Sequence, residues 1–453
     1  MTNDKGQMTT PSLDYTITHR FPGVEISDRE WETLIELASW QCIPEFPRRG
    51  RMAWHKLAQP ASLVANPDYQ LTAAKLKGVG AWNPPDTSRH RDPLLDSFTE
   101  TPIPPTTKPL ESFATYPHFG FNSEGDYTFV YSDPAPVGGI LHSRALLEYR
   151  SAEILVENGV PTIVPLAVIQ YGDNYRFLGK PMGAVISLVP DTAPYRLSQV
   201  QFGSATQRGT NPGADDYYDR IRKSLGIEGD PTHETTRLET INRLARKIGK
   251  SMHDFTLAGL YRYSPEWSNF EYDFERQEVL FTDLDSTRQM AEIPAEFRTL
   301  QALRELGSVV YRTVAKFGTP AVLGIYTLNN LLTYDPLFEL ISGYFPQATA
   351  AEIKPITKML WNCFIPYLFL LNKYKQEINH DWSSERRRSY KMDHDLFYIL
   401  AMTSLYPLFR QSDIFHRYPS TLTLENLMQK AQVYLGERYE YFLYLFDQKT
   451  SIV

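Results

Sequence analysis

Residues 279–285 read Val-Leu-Phe-Thr-Asp-Leu-Asp, an apolar run that ends in carboxylates. A run of that kind folds as a buried strand, and a carboxylate at the end of a buried strand needs a partner. Upstream, Ser268-Asn269 precede another short strand and a turn, so an Asn and an Asp stand at the two ends of one small hairpin. Oxygens placed in that way can converge on a hard divalent cation such as Mg²⁺. Asn269 and Asp283 are the candidate ligands, and Asp285 is near enough to the strand end to replace Asp283. A turn Asn and a strand-capping Asp are the plain structural alternative.

Composition limits what surrounds this hairpin. A chain of 453 residues with 42% hydrophobic and 13% aromatic content buries a sizeable core in two or three lobes. Its net charge of −7 argues against a binder of nucleic-acid backbones. The two cysteines, Cys42 and Cys363, imply neither a disulfide framework nor a multi-cysteine metal site, and a cytoplasmic location is expected. Residues 1–14 are polar, without the apolar stretch of a signal peptide. The most apolar stretch, 359–371, is broken by Asn362 and Pro366 and is too short for a bilayer, so no membrane insertion is expected.

The order of elements runs from strands to helices. Ser27 is placed to cap a helix carrying Trp31, Leu34, Ile35 and Ala38. Residues 69–76 read as a strand that ends at Lys77-Gly78-Val79-Gly80. Between 82 and 117, Pro84, Pro85, Pro93, Pro102, Pro104, Pro105 and Pro109 mark a long surface excursion. A strand is expected at 127–131. A helix follows over 143–157, with Ala145, Tyr149, Ala152 and Val156 on one face, and Asn158-Gly159 and Pro161 stop it. Residues 162–171, 175–178 and 183–189 read as successive strands. Beyond them, apolar residues at helical spacing predict helices through Leu238–Met252 and Leu303–Phe317 and near 321–345, 351–378, 391–410 and 423–447.

Lys77, followed by Gly-x-Gly, can reach nucleotide phosphates where glycines let the backbone come close. Glu148 lies beside the apolar stripe of its helix, placed to pair with a buried lysine. Taken singly, each is more often a surface charge. Together with Asn269 and Asp283 they follow the order of protein kinases and their relatives, which hold a phosphate-binding lysine rigid with a helix glutamate. Ser268 occupies the position before the Asn where an acidic base would stand. His253-Asp254, at a helix end, reads more readily as a structural pair than as a dyad.

These pieces, in order, resemble the selenoprotein O family of kinase-like protein adenylyltransferases. Arg49-Gly50-Arg51 is similar to that family's Gly-Asp-Gly-Arg, and Leu76-Lys77-Gly78-Val79-Gly80 to its Leu-Lys-Gly-Ala-Gly. Leu147-Glu148-Tyr149, Ala152-Glu153 and Gly159-Val160-Pro161-Thr162 resemble its Arg-Glu-Phe, Ser-Glu-Ala and Gly-Ile-Pro-Thr, and Gly183-Ala184-Val185 its strand before the lobe connection. Residues 258–269 fall where the family has Gly-Phe-Ala-His-Gly-Val-Met-Asn-Thr-Asp-Asn. There the His is Arg262 and the Asp is Ser268; Arg196 lies one residue from the place of a family arginine.

The resemblance implies an α+β, protein-kinase-like bilobal fold, with a β-rich N-lobe and a helical C-lobe with a helical extension. The expected units are a tail and helix (1–45), the N-lobe (46–200) with a Pro-rich insertion at 82–136, the C-lobe with the site (201–300) and a helical region (301–453). It implies that Lys77, Gly78, Arg51 and Arg196 face ATP phosphates, that Glu148 holds Lys77, and that Asn269 and Asp283 hold Mg²⁺. AMP would pass to an unidentified protein or small-molecule acceptor. Phosphoryl transfer at the same site, or a nucleotide-binding module without catalysis, are the alternatives.

Overall fold

A computed structural model describes residues 12–47, 50–82, 101–110, 117–131, 133–191, 195–200, 212–262, 265–317, 326–375 and 383–447. Its first half contains β1 (Tyr15–Arg20), β2 (Val24–Glu25), α1 (Asp28–Ala38), β3 (Gly50–Leu63), β4 (Asn66–Trp82), β5 (Pro117–Phe121), β6 (Tyr127–Tyr131), β7 (Ile140–Leu141), α2 (His142–Glu157), β8 (Val164–Tyr171), β9 (Arg176–Phe177) and β10 (Lys180–Val189). Ser27 caps α1 by accepting from the Glu30 N–H. After α2 the chain turns through Gly159 at φ +68°.

The strands form one eight-stranded sheet in the order β1-β8-β10-β4-β3-β2, with β7 and β9 also paired to β10. The pairs are antiparallel, and β10 meets β4 in the register Val185↔Lys77 and Ile186↔Leu76. Side chains alternate along β4. Ala74 and Leu76 enter a core shared with α1 and α2. Ala73, Lys75 and Lys77 lie on the opposite face, where Ala73 joins the core of the second lobe.

Two expectations need correction. The strand does not end at Lys77: β4 runs on to Trp82, and Lys77 is an interior strand residue. Gly78 and Gly80 have φ of +91° and +118°; a Cβ would fall 2.6 Å from the Gly183 carbonyl oxygen at the first and 2.2 Å from that of Ile103 at the second. Their Gly-x-Gly spacing therefore answers close approach by neighbouring chain, not a turn.

The Pro-rich excursion is also not wholly a surface loop. Residues 83–100 and 111–116 lie outside the described residues, but Ile103 exchanges backbone bonds of 3.0 and 2.9 Å with Ala81. Thr106 and Lys108 likewise bond Val137. The β5–β6 hairpin that follows leaves the sheet for the helical region. Phe119 is buried there, 5.9 Å from the Tyr398 ring and 5.8 Å from that of Tyr434, and its carbonyl accepts from Arg304 at 3.0 Å.

The second half holds α3 (Leu197–Val200), α4 (Pro212–Ser224), α5 (Glu234–Leu257), β11 (Leu260–Tyr261), β12 (Phe270–Asp273), β13 (Glu278–Phe281), β14 (Arg288–Gln289) and α6 (Ala295–Phe317). Helices Leu328–Tyr334, Pro336–Tyr344, Ala350–Lys375, Ser384–Phe409, Asp413–Arg417, Leu424–Leu435 and Arg438–Asp447 complete it. One buried apolar cluster lies within the first half, and the other joins the second half to first-half residues such as Ala73, Phe119 and Leu155. The fold is thus α+β and bilobal, sheet-rich then helical, in the kinase-like order expected. Among the described residues no helix is long and apolar enough to cross a membrane.

Candidate functional site

The hairpin of β12 and β13 pairs Phe270 with Phe281. Phe281 also stacks on Phe255 of α5 at 4.7 Å, which fixes the hairpin on the second lobe's core. The backbone of Phe281 bonds Pro161 and Ile163 as well, so the segment after α2 holds the hairpin from the other side. Asp283 follows β13 with φ 62° and ψ 52°. A left-handed non-glycine persists where its surroundings over-determine it, and such residues gather at functional sites.

Lys77 crosses from the sheet to this residue. Its Nζ lies 2.8 Å from Glu148 Oε2 on α2, 2.5 Å from Asp283 Oδ1 and 3.1 Å from Asp285 Oδ2. Oxygens of the three carboxylates lie within 4.8 Å of one another. Three carboxylates surround one ammonium in a site where Lys77 and Glu148 are almost fully buried. Burial would push Lys77 down, but Asp283, Asp285 and Glu148 outweigh it and hold the ammonium above its ordinary value. Burial raises Glu148, with Lys77 opposing and the two aspartates adding to the rise. Burial would raise Asp283 as well, yet Lys77, Arg196 and Arg262 hold it well below the usual carboxylate range.

Two arginines flank the cluster. Arg262 is buried and donates to the carbonyl of Asp283 at 3.0 Å. Arg144 lies one turn before Glu148 on α2, hence on the same face. It donates to the Asp285 carbonyl at 3.2 Å and to the exposed Asp133 carboxylate at 3.0 Å. Arg51, Asp133, Arg144, Asp283, Asp285 and Ser286 line a cavity of about 190 Å³ beside the cluster. Gly78, next to Lys77, packs against Ile140.

The other expected residues take part in contacts around Glu266 and Glu271. The Asn269 side-chain oxygen is engaged within its own turn, accepting from the Glu266 N–H at 2.9 Å. The Ser268 hydroxyl donates to Glu266 Oε1 at 2.5 Å, and its carbonyl accepts from Arg196 at 2.7 Å. Arg196 Nε is 3.1 Å from Glu271 Oε1. Glu271 in turn pairs with Lys75, whose Nζ also donates to Thr282 Oγ1 at 2.8 Å. Lys77, Glu148, Asp283 and Arg51 therefore share one subsite, and Ser268, Asn269 and Arg196 the adjoining one. Arg49 and Arg48 lie outside the described residues. His253 packs edge-on against Tyr344 and bonds Asp254 at 3.1 Å, while Asp254 also takes Lys250. That is a pairing local to α5.

Lys75, Arg144, Glu266 and Glu271 were not singled out from the sequence. Lys75 carried a usable signal, since it stands two residues before Lys77 on the same face of an otherwise apolar strand. Arg144 carried a weaker one, four residues before Glu148.

No family model matches this chain, and no curated protein does. Among solved structures, one described as WaaP in complex with acyl carrier protein is similar at 14% identity, over 57% of this chain and 87% of that one, with a TM-score of 0.27. So low a score leaves both fold and function to rest on this chain's own geometry.

Proposed function

We propose that the protein is an ATP- and Mg²⁺-dependent transferase that moves AMP to a protein or small-molecule acceptor. One observation carries the reading: a buried ammonium from the sheet, Lys77, is held by a helix carboxylate, Glu148, and meets Asp283 and Asp285 of the other lobe. The donor set suits the metal, since Mg²⁺ takes carboxylate oxygens and those of Glu148, Asp283 and Asp285 lie within 4.8 Å of one another. Asp283 and Asp285 would hold it, while the Asn269 side-chain oxygen is engaged in its own turn. A metal-bound nucleotide supplies an electrophilic phosphorus.

The chain's own residues bind and orient. Lys77 stays anchored by Glu148, and its ammonium would meet phosphate oxygens by leaving the two aspartates, Asp283 and Asp285. Arg51 and Arg144 line the adjoining cavity, where they would meet phosphate groups. Arg262 fixes the Asp283 backbone, so the carboxylate is aimed before substrate arrives. Such a site works chiefly by position and electrostatics.

The test uses ATP labelled at the α- or the γ-phosphate, with Mg²⁺ and candidate acceptors, the protein itself included. Label transferred from the α position alone fits adenylyl transfer. Label from the γ position alone makes the protein a phosphotransferase. Tight Mg-ATP binding without either makes it a nucleotide-binding module.

A further inference from the structure

A cation already stands among the three carboxylates, and it belongs to the chain. Lys77 Nζ holds one oxygen from each of Glu148, Asp283 and Asp285, and none of the three contacts is longer than 3.1 Å. These are the same carboxylates whose oxygens lie close enough together to ligate one ion. A divalent ion and an ammonium compete for those oxygens, and they repel each other strongly where water screens little.

The three contacts are not alike. Glu148 and Lys77 are sealed, with side chains 3% and 4% exposed. The Asp283 and Asp285 side chains are 37% and 19% exposed, and both line the cavity that Arg51 and Arg144 also line. A ligand in that cavity therefore meets the two aspartates, while the bond from Lys77 to Glu148 stays behind them. Lys75 shows the other arrangement, because both it and its partner Glu271 are almost wholly buried.

We infer that Lys77 keeps free Mg²⁺ out of the cluster and admits the ion only together with a polyphosphate, whose oxygens take over the ammonium. The inference rests on the transferase reading above and adds to it a choice of ligand: the metal–polyphosphate chelate, not the bare ion. Phosphate oxygens accept charge-assisted hydrogen bonds from an ammonium. Lys77 then exchanges two aspartates for phosphate while Glu148 retains it, and the freed aspartate oxygens turn to the ion. Free Mg²⁺ brings only water and offers the displaced ammonium no anion. Metal and nucleotide thus favour each other's binding through one side chain, and that coupling is reciprocal.

Calorimetry on the full chain measures Mg²⁺ alone and Mg-ATP separately. Lys77→Met is expected to bind Mg²⁺ alone at least about 10-fold tighter than wild type and Mg-ATP at least about 10-fold weaker, a usual size for coupling between ligands. The opposite signs are the signature, since a lysine that only supports the fold would weaken both. Lys77→Met leaves a buried carboxylate without its partner, which threatens folding. Lys77→Met with Glu148→Gln removes one buried charge of each sign and should keep the gain for Mg²⁺ alone. Adding Asp283→Asn to Lys77→Met should abolish that gain.

Affinity for Mg²⁺ alone that is unchanged or weaker in both Lys77→Met proteins overturns the inference, as does a gain that survives Asp283→Asn. Wild-type affinity for Mg-ATP in Lys77→Met overturns the exchange with phosphate. Wild-type protein that does not bind Mg-ATP removes the transferase reading, a separate result, because the gain for Mg²⁺ alone still decides whether Lys77 excludes the ion.

Discussion

Lys75 and Lys77 leave the same face of β4 with one residue between them, and both are almost wholly buried. Their surroundings differ in carboxylates. Lys77 faces three, which hold it above its ordinary value as an ammonium. Lys75 pairs with Glu271, which it shares with Arg196, and it also meets the Thr282 hydroxyl and the face of Trp54. There burial outweighs Glu271 and pushes Lys75 down to about 8. Three carboxylates around one ammonium offer oxygens to a further cation, as a site would. One anion between two cations reads as a closed bond between the lobes.

The comparison breaks most readily at Glu271. Removing one partner of a buried ion pair costs about 3–5 kcal/mol because the other charge stays buried and uncompensated. Glu271→Ala should destabilise by that amount in urea unfolding, and adding Lys75→Met should recover most of it. A loss below about 1 kcal/mol would mean that Lys75 is not charged in the fold. Asp283→Ala should cost the fold less, since Lys77 keeps Glu148 and Asp285. Its effect falls on the ligand: Mg-ATP affinity should drop at least about 100-fold, or about 2.7 kcal/mol. Unchanged affinity, read by calorimetry, would remove Asp283 from the site.

How much of this was legible follows the range of each interaction. The α2 helix with its Asn158-Gly159 stop, the β12–β13 hairpin and the placing of Glu148 come from local periodicity and from runs that must be buried. The order of strands before helices is local in the same sense. Glu271 meets Lys75 across 196 residues of sequence, and no local pattern reveals which face of β4 looks toward the second lobe. Gly78 and Gly80 misled for a related reason: a glycine forced by a distant neighbour, Gly183 or Ile103, looks in sequence like a glycine forced by a turn. The Pro-rich composition likewise announced a loop, but Phe119 beyond it is an anchor whose partners lie in helices near the C-terminal end.

The two lysines should also separate by pH. Lys75 holds its proton less tightly in the fold, at about 8, than in the unfolded chain, whose lysines keep the ordinary value of 10.5. Between those values the unfolded state binds more protons, so this group's contribution to stability rises with pH there. Wild type should therefore gain on Lys75→Met by on the order of 1 kcal/mol between about pH 8 and about pH 9.5. Lys77, raised instead, contributes stability that is fully present below its unfolded value and is lost only at higher pH. A wild-type–Lys75→Met difference that stays flat across the window would erase the contrast between the two sites.

The smallest effect sharpens the boundary of the Lys77 side. Asp133 is 68% exposed where it meets Arg144, and a pair that exposed contributes about 0–1 kcal/mol. Asp133→Asn should leave the urea midpoint almost unmoved. It also releases Arg144 from a competitor and removes a negative charge from the cavity wall. If phosphate enters that cavity, Mg-ATP binding should tighten by about 2- to 5-fold in low salt and by less at high salt, where exposed charges are screened. Weaker binding in Asp133→Asn would instead put Asp133 on the cation side of the nucleotide. Arg144→Gln then decides the matter: it should weaken Mg-ATP binding about 10-fold if its guanidinium meets phosphate, since hydrogen bonds to charged groups are worth about 1.5–3 kcal/mol.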